Sequence, residues 1–233
     1  MSMDARSRRR GRVRRAWGVV TTCVVGAFVA SCATQSNTPA ATLSAAVRIE
    51  ADGCRARPTV GAGSFVAPGR ILTVAHVVAG STEVDVTLAD GSELDGTVVA
   101  IDRAKDLAVV AVEADNQPLR IGTLRPGEDG EFVVWRDDAA RARPFHAISY
   151  VDIDASDIDH QGSGLRKGFQ IDSEVSNGDS GSVLVHGGEA VGVVFARSTA
   201  SGGRAWATDI REAAPLLLDG PDTPVDVGAC AGG

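Results

Sequence analysis

Asn177-Gly178-Asp179-Ser180-Gly181-Ser182 is the stretch on which the reading of this chain turns. Gly-Asp-Ser-Gly is good turn chemistry, and taken alone it says only that an alcohol sits in a tight loop between glycines. Two earlier segments change its weight. Leu72-Thr73-Val74-Ala75-His76-Val77-Val78 sets a histidine at a strand end among small residues, and Lys105-Asp106-Leu107-Ala108-Val109-Val110 sets an aspartate directly before an apolar run. Singly, the first reads as a structural histidine and the second as a cap or turn residue. Together they supply what a serine lacks at neutral pH, a base to take its proton and a carboxylate to orient that base. Asp102 competes for the acid's place, but Arg103-Ala104 follows it, whereas Asp106 precedes the strand that would bury it. His146, His160 and His186 lack comparable flanks and read as surface residues.

Outward from these segments the chain alternates short β-rich runs with Gly, Asp and Pro. Strands are expected at 46–50, 63–66, 70–73, 83–88, 93–102 and 107–112. After a turn-rich stretch, 116–130, six more follow at 131–136, 145–153, 168–171, 182–186, 189–196 and 205–208. Asp90-Gly91 and Gly187-Gly188 are hairpin pairs. Turn signals this frequent point to an all-β barrel or sandwich. Two helical pieces interrupt it, a single turn at 75–78 and an amphipathic C-terminal helix at 210–218.

The three segments resemble the T-A-A-H, D-[IL]-A and G-D-S-G signatures of trypsin-like serine peptidases. They come in that family's order, with separations of 30 and then 74 residues. Subtilisin-type and α/β-hydrolase enzymes use other orders. The stretch Gly61-Ala62-Gly63-Ser64-Phe65-Val66 resembles the opening strand of HtrA-like and actinobacterial membrane-anchored, acid-resistance (MarP-like) proteases. The run from Ile171 to Ser180, and Val191-Gly192-Val193-Val194-Phe195, are similar to their approach to the nucleophile and their substrate-pairing strand. The resemblance covers most of residues 54–230. It implies a chymotrypsin-like fold of two six-stranded antiparallel β-barrels, residues 45–124 carrying His76 and Asp106 and residues 125–233 carrying Ser180 and the C-terminal helix. It further implies a His76–Asp106–Ser180 triad, an oxyanion hole from the N–H groups of Gly178 and Ser180, and serine endopeptidase activity on protein or peptide substrates. No cofactor or metal is called for, and a monomeric catalytic domain is expected. The alternatives are a catalytically silent trypsin-like fold used as a binding module, and an esterase with the same triad. The specificity wall would come from Glu174–Asn177 and the strand around Phe195. Glu174, six residues before Ser180, reads either as a selector for basic residues or as a solvent-facing strand residue. The activation terminus that pairs with the aspartate before the serine in digestive trypsins is missing, so Asp179 needs another partner.

The chain's ends carry a different message. Residues 1–16 hold seven arginines and one acid, adding +6 to a chain whose formal net charge is −7, so the remainder carries −13. An acidic body with only three Trp, one Tyr and six Phe disfavours nucleic-acid binding. The arginines instead open an export signal: Trp17–Ala30 is apolar but short of the roughly 17–25 residues of a permanent span. Val29-Ala30-Ser31-Cys32 resembles a lipoprotein lipobox, which implies a signal sequence over 1–32, lipidation of Cys32, and an anchor on the outer side of a bacterial cytoplasmic membrane; simple cleavage and an uncleaved anchor are the alternatives. Residues 33–44 read as a flexible linker. Of four cysteines, Cys23 and Cys32 lie in the signal, leaving Cys54 and Cys230. In an oxidising compartment these suggest a disulfide, with two free thiols as the alternative. The MarP-like resemblance favours the bond.

Overall fold

Alternation sets the first sheet. Ala46–Asp52 (β1) buries Val47, Ile49 and Ala51 and turns the residues between them partly outward. Thr59–Ala67 (β2), Arg70–Thr73 (β3), Glu83–Leu88 (β4), Glu93–Asp95 (β5), Thr97–Asp102 (β6) and Leu107–Ala111 (β7) complete it in the order β5-β4-β1-β2-β3-β7-β6. The Gly96 N–H donates to Val84 C=O at 2.7 Å, bringing the β5–β6 corner back onto β4. A second sheet gathers Arg120–Ile121 (β8), Asp129–Arg136 (β9), Ala139–Ser156 (β10), Ser163–Asp172 (β11), Val183–His186 (β12), Glu189–Arg197 (β13) and Arg204–Asp209 (β14). Its order is β12-β9-β10-β11-β14-β13-β8, and a β12–β13 pairing closes it. This computed structural model describes residues 38–54, 56–197, 203–218 and 223–231. The expected signal segment, Cys23 and the lipobox cysteine Cys32 lie outside the described residues. Among the described residues no helix is long and apolar enough to cross a membrane.

Each sheet therefore has seven strands rather than the expected six. The run 93–102 breaks at Gly96 into β5 and β6, and β8 adds in parallel along the edge of β13. A two-residue parallel pairing carries no alternation, which is why the sequence shows no strand there. Of the segment 33–44 read as a flexible linker, the described residues depart from that reading. Thr38–Ala45 forms an α-helix (α1) with Thr42 and Ala45 buried; its alanine-rich composition favours helix once one face has something to cover.

At the other end the expected helix divides. Ile210–Ala213 is a 3₁₀ turn capped by Asp209, whose carboxylate accepts the Arg211 N–H, and Ala214–Leu218 is α-helical (α2 being the turn Ala75–Val78, this one α3). Pro215 lacks the N–H that would continue one ladder through both, so the helix restarts there. The tail then returns to the first barrel. Val225 N–H donates to Val98 C=O at 3.0 Å, and Cys230 is disulfide-bonded to Cys54 across 176 residues of chain. The core is shared in the same way: Val183, Val185, Val193, Ile210 and Ala213 pack with the first barrel's Val47, Phe65, Leu72 and Val109. Phe132, Phe169, Ile171 and Leu184 fill the second barrel. Complete burial of Phe65, Phe132 and Phe169 contributes about 1.5–3 kcal/mol apiece.

Candidate active site

His76 sits in the single helical turn α2, which starts just after β3 ends, with Val74 and Ala75 between the strand and His76 fully buried. Its backbone N–H donates to Asp106 Oδ1 at 2.9 Å, and its ring Nδ1 lies 2.8 Å from Asp106 Oδ2. One carboxylate thus holds both the main chain and the ring of one histidine. A carboxylate can only accept, so Nδ1 carries the proton and Nε2 keeps a free lone pair. Asp106 is 4% exposed and takes a left-handed backbone, φ 55°. Aspartate tolerates that conformation better than most residues. Asp102, the competing acid, is spent on the same turn, accepting the Lys105 N–H at 2.9 Å.

Ser180 comes from the second barrel and is held against the first. Its carbonyl accepts the Ala62 N–H at 2.8 Å. Gly181 is obligatory for this approach: its φ is +90°, and a Cβ there would lie 2.0 Å from the Ala62 carbonyl oxygen. The Gly181 N–H donates to Val194, the Asp179 N–H to Ser176 and the Ser182 N–H to Asp179. The N–H groups of Asn177, Gly178 and Ser180 have no partner among the described residues. His76, Asn177, Gly178 and Ser180 line one cleft of about 500 Å³ together with Pro58, Thr59 and Val60.

The loop's conformation is set from below. Asp179 is fully buried, and Arg136 at the end of β9 grips it with two parallel bonds, Nη1 to Oδ1 at 2.7 Å and Nη2 to Oδ2 at 2.8 Å. Oδ2 also accepts the Ser176 N–H at 2.8 Å. This bidentate pair raises the Arg136 pKa above the ordinary arginine value. The sequence leaves the partner of Asp179 open, and the fold supplies Arg136. The local signal is partial: an arginine closes the strand, just before the Asp137-Asp138 hairpin turn.

Residues 61–193 match the trypsin-like peptidase domain. The chain belongs to that family. The Mycobacterium tuberculosis serine protease Rv3671c is 31% identical over 183 residues, 73% of this chain and 44% of the relative. A Halomonas elongata protein named "Probable periplasmic serine endoprotease DegP-like" is 34% identical over 152 residues, 63% of this chain and 31% of the relative. The chain thus spans less than half the length of these curated relatives. The crystal structure of the active form of the Rv3671c protease superposes with a TM-score of 0.77 at 29% identity, over 84% of this chain and 90% of that one. Its inactive form gives 0.68 at 28% identity, over 79% and 93%. The architecture is the chymotrypsin-like pair of β-barrels.

The two residues assigned to the specificity wall lie elsewhere. The Glu174 side chain is 83% exposed and lies 3.5 Å from Arg143, and Phe195 sits under the guanidinium of Arg166. Neither lines the cleft that holds His76 and Ser180. Glu174 departs for a local reason: the residues before Ser180 form a loop from Ser173 to Asn177 rather than a wall strand.

Proposed function

We propose that the chain is a serine endopeptidase, with Ser180 as nucleophile, His76 as general base and Asp106 as the acid that orients it. The observation that carries this reading is the doubly held His76–Asp106 pair opening on a cleft shared with Ser180, where the N–H groups of Gly178 and Ser180 have no partner among the described residues. Ser180 Oγ attacks the scissile carbonyl carbon as His76 Nε2 takes its proton, and Asp106 stabilises the imidazolium that forms. The oxyanion of the tetrahedral intermediate lies against the N–H groups of Gly178 and Ser180, donors aimed in advance. Collapse passes the proton from His76 to the leaving amine and leaves an acyl-serine, which water hydrolyses by the same route in reverse.

The cellular setting belongs to the same proposal. Export to the cell envelope, lipidation at Cys32 and cleavage of envelope or extracellular proteins fit the basic, apolar N-terminal signal and the periplasmic name of the Halomonas relative. A disulfide between Cys54 and Cys230 fits an oxidising compartment. The test is a serine-directed fluorophosphonate together with casein hydrolysis. Wild type is labelled and cuts casein, and Ser180→Ala does neither. A folded wild type that resists the probe refutes the proposal and favours a silent binding module.

A further inference from the structure

β11 breaks the rule of its own sheet. Leu165 is 72% exposed, while the next residue, Arg166, is 2% exposed. A slip of one residue would reverse this, hiding the leucine and freeing the cation. The fold instead buries a guanidinium, which is costly unless its charge is answered. What answers it lies in the other barrel. Arg166 Nη1 donates to the Lys105 carbonyl at 2.9 Å and lies 3.9 Å from Asp106 Oδ2. Nη2 donates to the Ser156 carbonyl at 3.3 Å, and the group lies 4.7 Å from the centroid of the Phe195 ring. Nε has no partner among the described residues.

We infer that Arg166 is the positioning residue for Asp106, holding the Lys105–Asp106 turn where its carboxylate meets His76 and tempering that carboxylate's pull on a proton at the ring. The inference rests on the triad reading above. Joining the barrels does not require Arg166: Arg103 already pairs with Asp159, the Ile158 N–H bonds the Arg103 carbonyl, and Lys105 pairs with Glu212 at 3.0 Å. The left-handed backbone of Asp106 follows directly on the Lys105 carbonyl, and Arg166 holds that carbonyl from the other barrel. Burial pulls the Arg166 pKa below the ordinary arginine value, and Asp106 and Asp102 oppose that pull. Arginine stays charged even so. Of the other charges around the turn, Lys105 is matched by Glu212 and Arg103 by Asp159, so Arg166 is the cation that faces Asp106.

The sign follows. With Arg166 gone, Asp106 acts on the imidazole unopposed, the ring holds its proton to higher pH, and the acid limb of activity moves upward. The experiment compares Arg166→Met, which keeps the stem and loses charge and donors, with Arg166→Lys, which keeps the charge but not the fork. Both are made in the full chain, with kcat and KM on casein normalised to sites titrated by fluorophosphonate. Misplacing the acid by about an ångström lowers kcat by roughly 10²-fold in R166M, with KM little changed. The acid limb shifts to higher pH in R166M and stays in place in R166K. An R166M enzyme that loses only thermal stability, with kcat per titrated site and acid limb as in wild type, makes Arg166 a structural bolt and overturns the inference alone. A wild type that the probe does not label removes the triad, and the inference with it.

Discussion

Arg136→Met removes the cation from a fully buried carboxylate. Asp179 is 0% exposed, and besides Arg136 its side chain keeps one donor, the Ser176 N–H. Breaking a buried pair from one side costs about 3–5 kcal/mol, because the surviving charge is left uncompensated. At about 2–4 °C per kcal/mol for a domain of this size, the melting temperature falls by roughly 6–20 °C. The functional loss has a separate origin. Asp179 lies between Gly178 and Ser180, so a carboxylate that swings toward water carries both free N–H groups out of place. Loss of one such donor typically lowers kcat by about 10²–10³. The assay is the fluorophosphonate labelling rate, measured at a temperature where circular dichroism shows R136M folded. Adding Asp179→Asn should recover most of the stability, since no charge is then stranded, while labelling stays slow because the amide cannot hold the Ser176 turn as the carboxylate does. Labelling of folded R136M at the wild-type rate would refute the claim that this ion pair shapes the nucleophile loop.

Other outcomes follow from the same geometry. Gly181→Ala places a Cβ 2.0 Å from the Ala62 carbonyl oxygen at φ +90°, so labelling by the fluorophosphonate should vanish and thermal melting should show a destabilised protein. Replacing Cys54 and Cys230 by serine should lower stability by about 2–5 kcal/mol in denaturant titrations, and unchanged stability would mean the bond does not form. Burial works to raise the Asp209 pKa, but its bonds from Arg211 and Tyr150 prevail and hold it below the usual aspartate value. A depressed folded value gives stability that is present above the unfolded pKa and lost as pH falls through the folded one. Wild type should therefore exceed Asp209→Asn in stability at pH 7, with the gap closing below about pH 4. Casein hydrolysis should fall from pH 8 to pH 5, because a protonated His76 cannot take the Ser180 proton, and a flat profile would contradict its role as base.

Much of this molecule is written locally. Arg70–Thr73, Glu83–Leu88 and the turn Ala75–Val78 run as the residue pattern predicts, because alternation and β-branched side chains act over a few neighbours. The all-β class follows from the same short-range signals, and three brief segments are enough to nominate His76, Asp106 and Ser180. What tertiary structure alone decided is where charges meet. Asp102 and Asp106 are four residues apart and similar on paper; the fold spends one on a turn and gives the other to His76. Arg136 reaches Asp179 over 43 residues, and Arg166 reaches the Lys105 carbonyl over 61, from the other barrel. The two-residue strand β8 exists only because β13 offers it an edge. Periodicity reports which face of a strand is buried, but the partner of a buried charge is set by which distant backbone passes within about 3 Å of it.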